Sequence, residues 1–212
     1  MKKLSTRERL LQVAMELIWA ESYGTVGVEE ICRKTRIQKG SFYHFFSSKA
    51  ALADAALRDA WQRHQPNLER LFSREVDPIE RLMNYFDYSI QKQKELREQF
   101  GFYPGCPFTS IGMEQGRGQG MLRQTAEEHL NYVKRYFEIT ISDAVEEGVI
   151  KPQNATVKAD EVFSLYLGAF ARLRIANNIA VMMSVKEGAL ALLGVQTPQT
   201  GPARKKKRRV LV

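Results

Sequence analysis

The chain has 212 residues, 44% of them hydrophobic, and a formal net charge of +8. This is a soluble globular composition with room for one large domain or two small ones. It contains no apolar run of the roughly eighteen residues that a membrane-spanning helix needs, and Cys32 and Cys106 are too few for a disulfide framework. Charge is unevenly placed: +4 over residues 1–50, −2 over 51–203 and +6 over 204–209. A basic head and a basic tail around a mildly acidic body suggest one end that meets nucleic acid and a body that does not. Met1-Lys2-Lys3-Leu4-Ser5 lacks the apolar stretch of a secretory leader, so a reducing cytoplasm is the expected compartment.

Residues 5–22 read as a helix. Ser5 and Glu8 form a capping box, Leu10, Val13, Ala14 and Leu17 make one apolar stripe, and Gly24 supplies the stop. Lys2, Lys3, Arg7 and Arg9 oppose the dipole of this helix, which is understandable beside phosphates or as a solvated basic terminus. Residues 28–35 make a second helix, with Val28, Ile31 and Cys32 at helical spacing and Cys32 a small buried hydrophobe. Arg36-Ile37-Gln38 is short enough for the turn of a helix-turn-helix. In the third helix, 39–46, Phe42 and Phe46 share an inward face. Ser41, Tyr43 and His44 point away, with Lys39 and Gly40 at the start. Such groups suit DNA phosphates and base edges; the plain alternative is a polar solvated face.

Tyr23-Gly24-Thr25-Val26-Gly27-Val28-Glu29-Glu30-Ile31, then Lys39-Gly40-Ser41-Phe42-Tyr43-His44-Phe45-Phe46, then Lys49-Ala50-Ala51-Leu52, resemble the TetR family of bacterial transcriptional regulators in order and spacing. The likeness covers about the first fifty-five residues. One departure is that His44 directly follows Tyr43 and Phe45 comes after it, whereas members often carry Tyr then His at the following places. The resemblance implies DNA contacts by Val28 through its backbone and by Ile37, Gln38, Lys39, Gly40, Ser41, Tyr43, His44 and Lys49. Tyr43 and Lys49 would clamp phosphates, Gln38, Ser41 and His44 would meet bases, and Gly40 would admit close backbone approach.

A long helix follows over about 48–64, capped by Ser47 or Ser48, with Leu52, Ala55, Ala56 and Trp61 on one face and Pro66 ending it. By the same resemblance it joins the DNA-reading head to the body and moves that head. Asp77-Pro78, with Glu80 three residues after Asp77, restarts a helix to about residue 99, with Leu82, Phe86, Ser89 and Ile90 inward. The aromatic, Gly/Pro-punctuated stretch 101–114 reads as a loop and short helix folded over a cavity, and 116–120 as a flexible link. Residues 121–147 give a helix with Leu130, Val133, Phe137, Ile141 and Val145 buried. Residues 157–182 give another, with Phe163, Tyr166, Leu167, Phe170, Leu173 and Ile175 apolar on more than one face, and about 184–193 gives the last, carrying Ala189, Leu190, Leu192 and Leu193. An apolar girth that wide must be buried twice. The resemblance places these last two elements in a symmetric dimer, the alternative being an internal bundle core. In the tail, Arg204-Lys205-Lys206-Lys207-Arg208-Arg209 admits three readings: a viral-type nuclear-import signal, a phosphate-binding arm, or a disordered solubilising tail.

Little points to enzyme chemistry. His44, His64 and His129 lie far apart without metal-ligand spacing, and Gly116-Arg117-Gly118-Gln119-Gly120 lacks the context of a phosphate loop. No catalytic residue, metal or cofactor is therefore expected. Cys106, between Gly105 and Pro107, reads either as a packing cysteine or as a thiol in an effector site. The Gly-Cys pair is similar to one in electrophile- and acrylate-responsive TetR members, and Arg97, Arg117 or Arg123 are the cations available to activate it. Aromatic clustering nominates Phe86, Phe102, Cys106, Phe108, Met113, Phe163, Tyr166 and Phe170 for an effector pocket, although core packing explains most of them equally well.

The expectation is thus an all-α homodimer: a helix-turn-helix head over 1–50, an effector-binding and dimerisation body over 51–195 and a disordered basic tail over 196–212. It would bind a palindromic double-stranded DNA operator as a repressor and be released by a small apolar or electrophilic effector. A cytoplasmic thiol enzyme using Cys106, and a DNA-architectural or nuclear-targeted protein driven by the tail, are the rivals.

Overall fold

The computed structural model describes residues 4–115 and 120–195. Among these residues there are nine helices and no strand: α1 (Thr6–Ala20), α2 (Val28–Thr35), α3 (Lys39–Phe45), α4 (Lys49–Leu71), α5 (Pro78–Phe100), α6 (Pro107–Glu114), α7 (Met121–Glu146), α8 (Ala155–Ala176) and α9 (Ala180–Leu193). No described helix is long and apolar enough to cross a membrane. Met1–Lys3, the expected flexible link at 116–119 with Arg117, and the basic tail at 196–212 lie outside the described residues.

Local chemistry sets most helix ends. Ser5 accepts from the Glu8 N–H while the Glu8 carboxylate takes the Ser5 N–H, completing the capping box. Ser48, Asp77 and Asn154 cap α4, α5 and α8 through their side chains. The chain leaves α1 already at Glu21, before Gly24.

Two boundaries differ from the sequence reading. Helix α4 runs through Pro66 to Leu71. Proline removes one backbone bond, but Leu57 on one side and Leu68 and Leu71 on the other are buried, and that packing outweighs the local defect. The expected continuous helix over 157–182 is two helices, because Asn177 adopts a left-handed conformation at φ 47° and ends α8.

Two apolar cores result. The head core joins Leu10, Leu17, Ile31, Phe42 and Leu52, and it takes in Ile111 from α6 with Leu122 and Ala126 from α7. The body core packs α5, α7, α8 and α9 around Phe86, Phe137, Tyr166 and Leu173. Within it Arg81, only 1% exposed, is held by Asp143 and by the Val76 carbonyl. The head is therefore fastened to the body by shared hydrophobic contacts as well as by the α4 backbone.

Candidate nucleic-acid interface and effector cavity

The α2–α3 pair presents one polar surface. Phe42 and Phe46 are buried, which turns Gly40, Ser41, Tyr43 and His44 outward. Gln38 is exposed, and Val28 and Ile37 are half-buried at the starts of α2 and of the turn. Arg36, at φ 58°, makes the sharp turn between the two helices. Neither Gly27 nor Gln38 caps its helix through a side chain. The first turns of α2 and α3 therefore have no side-chain N-cap, and in α2 the Glu29 carboxylate takes its own N–H.

The cations on this face are not equivalent. Lys39 pairs with Glu29, which raises the lysine pKa and lowers that of the carboxyl. The Lys49 amine, by contrast, donates to the carbonyls of Tyr23 (2.9 Å) and Val26 (3.0 Å) and sits 4.2 Å from the centre of the Tyr23 ring. It ties the α1–α2 loop to α4, so its expected part as a free phosphate clamp gives way to a structural one. Arg7 lies 5.5 Å from the centre of the Phe46 ring, which places a cation at the edge of the same face.

A cavity of about 540 Å³ opens between α1, α4, α5, α7 and α8, with the start of α6 at its wall. Cys106, Phe108, Phe163, Tyr166 and Phe170 line it, as the aromatic clustering anticipates. Three nominated residues do not. Phe86 is fully buried in the body core against Tyr85, Phe137 and Tyr166, Phe102 packs by Phe100, and Met113 is 67% exposed. The sequence reading missed Trp19, Trp61, His64, Tyr88 and His129, which line the cavity from three other helices and α4. Their common signal was a polar or aromatic residue on an otherwise apolar helix face, and only the fold brings them together. A second depression of about 590 Å³ lies against the other side of Trp61 and His129.

The cavity lining combines aromatic, phenol and imidazole groups with the acidic and basic residues Glu16, Asp59, Arg63 and Lys92. Burial pushes the Tyr85 and Tyr166 phenols above their ordinary range and lowers both His64 and His129, so all four are neutral near pH 7. The Ser89 hydroxyl donates to the Tyr85 carbonyl (2.8 Å) and meets the Tyr166 hydroxyl (2.9 Å). Cys106 keeps partial access, but burial raises its thiol pKa. The Thr109 hydroxyl and the N–H groups of Phe108 and Thr109 face the sulfur and oppose that rise without cancelling it. Of the arginines expected to activate it, Arg97 lies against the Tyr103 ring, 4.9 Å from its centre, Arg117 lies outside the described residues, and no arginine among the described residues contributes to the Cys106 pKa shift. Among the described residues no histidine or carboxylate hydrogen-bonds Cys106, and no group of three or more His, Cys, Asp or Glu could hold a metal.

Side-chain hydrogen bonds around the cavity join the head to the body. The Trp19 indole N–H donates to the Gly105 carbonyl (2.8 Å), and Gln93 pairs with both backbone groups of Gly105 at 3.1 Å. Arg174 of α8 donates to the carbonyls of Trp19 (3.2 Å), Glu21 (2.8 Å) and Pro104 (3.0 Å), and so ties the end of α1 to the cavity rim. The Glu114 carboxylate receives the Gly24 N–H at 3.0 Å. Gly105 has φ 75°, and a Cβ there would stand 3.2 Å from the Phe170 carbonyl, so only glycine fits this junction.

Residues 10–56 match the family described as bacterial regulatory proteins, tetR family, and residues 78–188 match the tetracyclin repressor-like C-terminal domain. An uncharacterised HTH-type transcriptional regulator of Lactococcus lactis is 24% identical over 185 residues, covering 85% of this chain and 89% of the relative. The transcriptional regulator AcuR of Cereibacter sphaeroides is 30% identical over 111 residues, covering 51% of this chain and 48% of the relative. The crystal structure of reduced NemR from Escherichia coli superposes with a TM-score of 0.76 at 20% identity, covering 92% of this chain and all of that one.

Proposed function

The chain belongs to the TetR family of transcriptional regulators, and we propose that it is a repressor that binds a palindromic operator as a homodimer and is released when a small apolar molecule fills the α4–α8 cavity. The observation that carries this reading is the Gly105 junction. One peptide group lies in the cavity wall and is held by Trp19 of the head and Gln93 of the body. An occupant that displaces Phe108 or Cys106 shifts that junction, the end of α1 and α4 with it. A ligand acts only through its different affinity for the two shapes.

In this reading α3 enters the major groove. Ser41, His44 and Gln38 face base edges, Tyr43, Lys39 and the N-termini of α2 and α3 take phosphates, and Val28, Ile37 and Gly40 set the approach. Dimerisation uses the outer faces of α8 and α9. Ile175 is 86% exposed and Met183 55% exposed, while Gly168, Ser164 and Ser184 let a second helix pair come close. Two heads then meet half-sites about one DNA turn apart, and a small change in their separation costs contacts in both. The basic tail adds salt-dependent affinity without sequence preference.

A second reading has an electrophile alkylate Cys106, favoured by the hydroxyl and N–H groups that face its sulfur. The raised thiol pKa opposes it, because the thiolate is the nucleophile. Selection from a randomised duplex pool, with and without residues 204–212, tests the proposal. Enrichment of one palindrome by both forms is expected; enrichment only with the tail, or of no palindrome, would overturn it.

A further inference from the structure

Resting on the reading of this cavity as the effector site, we infer that its occupant is an uncharged phenol-type aromatic whose hydroxyl donates to Nε2 of His129. His129 is 2% exposed, and its ring belongs to the cavity wall. Its Nδ1 contacts the Thr125 carbonyl. A carbonyl only accepts, so Nδ1 carries the proton and Nε2 is left as a bare acceptor. Nε2 makes no hydrogen bond among the described residues and is not sealed in the core, so it is open to the cavity that His129 lines.

The surroundings keep the imidazole in that state. Phe108 stacks on it at 4.8 Å and 8°, and Trp61 stands edge-on at 5.2 Å. Burial lowers the His129 pKa, against the opposing hydrogen bond to the Thr125 carbonyl; the Arg58 cation adds to the lowering, and Glu128 and Asp54 oppose it more weakly. Arg58 is itself held by Asp54, Glu128 and the Thr125 hydroxyl, so it offers a ligand no free charge. An acceptor open to the cavity and flanked by aromatic rings favours a molecule that can donate to it over an isostere that cannot.

The remaining wall fits an aromatic body and rejects an anion. Trp61, Tyr88, Phe163, Tyr166 and Phe170 offer ring faces and edges. The lining cations, Lys92 and Arg63, are paired with Glu95 and Asp59. A carboxylate placed here would lose its water and gain no counter-ion. The Tyr85, Tyr166 and Ser89 hydroxyls already bond to one another, the Tyr88 hydroxyl meets His64 Nδ1, and Gln93 is held by Gly105; His129, between Phe108 and Trp61, offers its acceptor among the rings. A volume of about 540 Å³ accommodates a two- or three-ring molecule.

The protein carries its own reporter, because its two tryptophans, Trp19 and Trp61, both line the cavity. Quenching of their fluorescence is titrated in the full chain with 4-phenylphenol, 4-methoxybiphenyl and biphenyl-4-carboxylate. The expected result is binding of the phenol about tenfold or more tighter than of its methyl ether or of the carboxylate, the scale of one buried hydrogen bond. His129→Phe, which keeps the stacked ring and removes the acceptor, should bind phenol and ether within about twofold of each other. Equal binding of phenol and ether by the wild-type chain, preference for the carboxylate, or no quenching by any of the three would overturn the inference, and those comparisons need no variant to fold. A phenol preference retained in folded His129→Phe would overturn it too. Phenol-selective quenching that leaves operator binding unchanged would uphold the cavity chemistry while refuting the effector reading.

Discussion

Arg174→Met tests the path from cavity to head. The arginine makes four hydrogen bonds, to the carbonyls of Trp19, Glu21 and Pro104 and to the Ser110 hydroxyl. Methionine keeps most of the apolar stem and removes all four. Bonds to a charged donor are worth about 1.5–3 kcal/mol each when well buried, but this group is only half-buried and its carbonyl partners can regain water. A net loss of about 2–3 kcal/mol is the working figure. It corresponds to a fall in melting temperature of roughly 4–12 °C for a chain of this size. The functional effect is the sharper test. Coupling between two sites typically amounts to about 1–3 kcal/mol, or 5- to 150-fold in affinity. If Arg174 carries much of it, operator affinity without effector stays within about threefold of wild type while the effector-induced loss of affinity shrinks at least about fivefold. Fluorescence anisotropy of a labelled operator measures both quantities. A destabilised variant with an undiminished effector response would show that Arg174 only braces the fold.

Glu29→Gln releases Lys39 from its pair on the DNA-facing surface. It should tighten operator binding at low salt and make the slope of log K against log salt more negative by about 0.9, one extra phosphate contact; an unchanged slope would mean that Lys39 does not reach DNA. The raised pKa of Cys106 means that the folded chain holds the thiol proton more tightly than the unfolded chain does. Its stabilising share is complete below the free-thiol pKa and fades as pH rises through and beyond it. Alkylation of Cys106 by iodoacetamide, followed by peptide mass, should therefore rise with pH only above the range of free cysteine, and fast labelling at pH 7 would favour the electrophile reading. Asp143→Ala strands the buried Arg81 guanidinium and should cost about 3–5 kcal/mol in urea unfolding, with Arg81→Met recovering part of it in the double variant; a loss below about 1 kcal/mol would show the pair to be solvated.

The head was legible because its signals are local. The Ser5–Glu8 box, the Phe42–Phe46 pair and the short Arg36–Gln38 turn each specify their own geometry within a few residues. The family's residues fall on those same elements. The cavity was legible only in part, since its wall is made by long-range packing. Cys106 and Phe108 announced themselves in a Gly/Pro-rich stretch, but His64 and His129 share a cavity wall only because α7 packs against α4 at Trp61. Pro66 misled for a related reason, because the burial of Leu68 and Leu71 that keeps α4 intact comes from the body core. Lys49 was misplaced because its partners, Tyr23 and Val26, lie on a loop more than twenty residues earlier. Nor does any sequence pattern announce Arg174, whose Trp19 carbonyl partner is 155 positions away.

The most direct test of the account follows tryptophan quenching and the anisotropy of a labelled operator, itself obtained by duplex selection, in one cuvette as a phenol-type ligand is added. The account predicts that the two signals change with a common midpoint, the cavity filling as DNA is released. Saturated quenching with the operator still fully bound would contradict it, because the cavity would then be occupied without reaching the head.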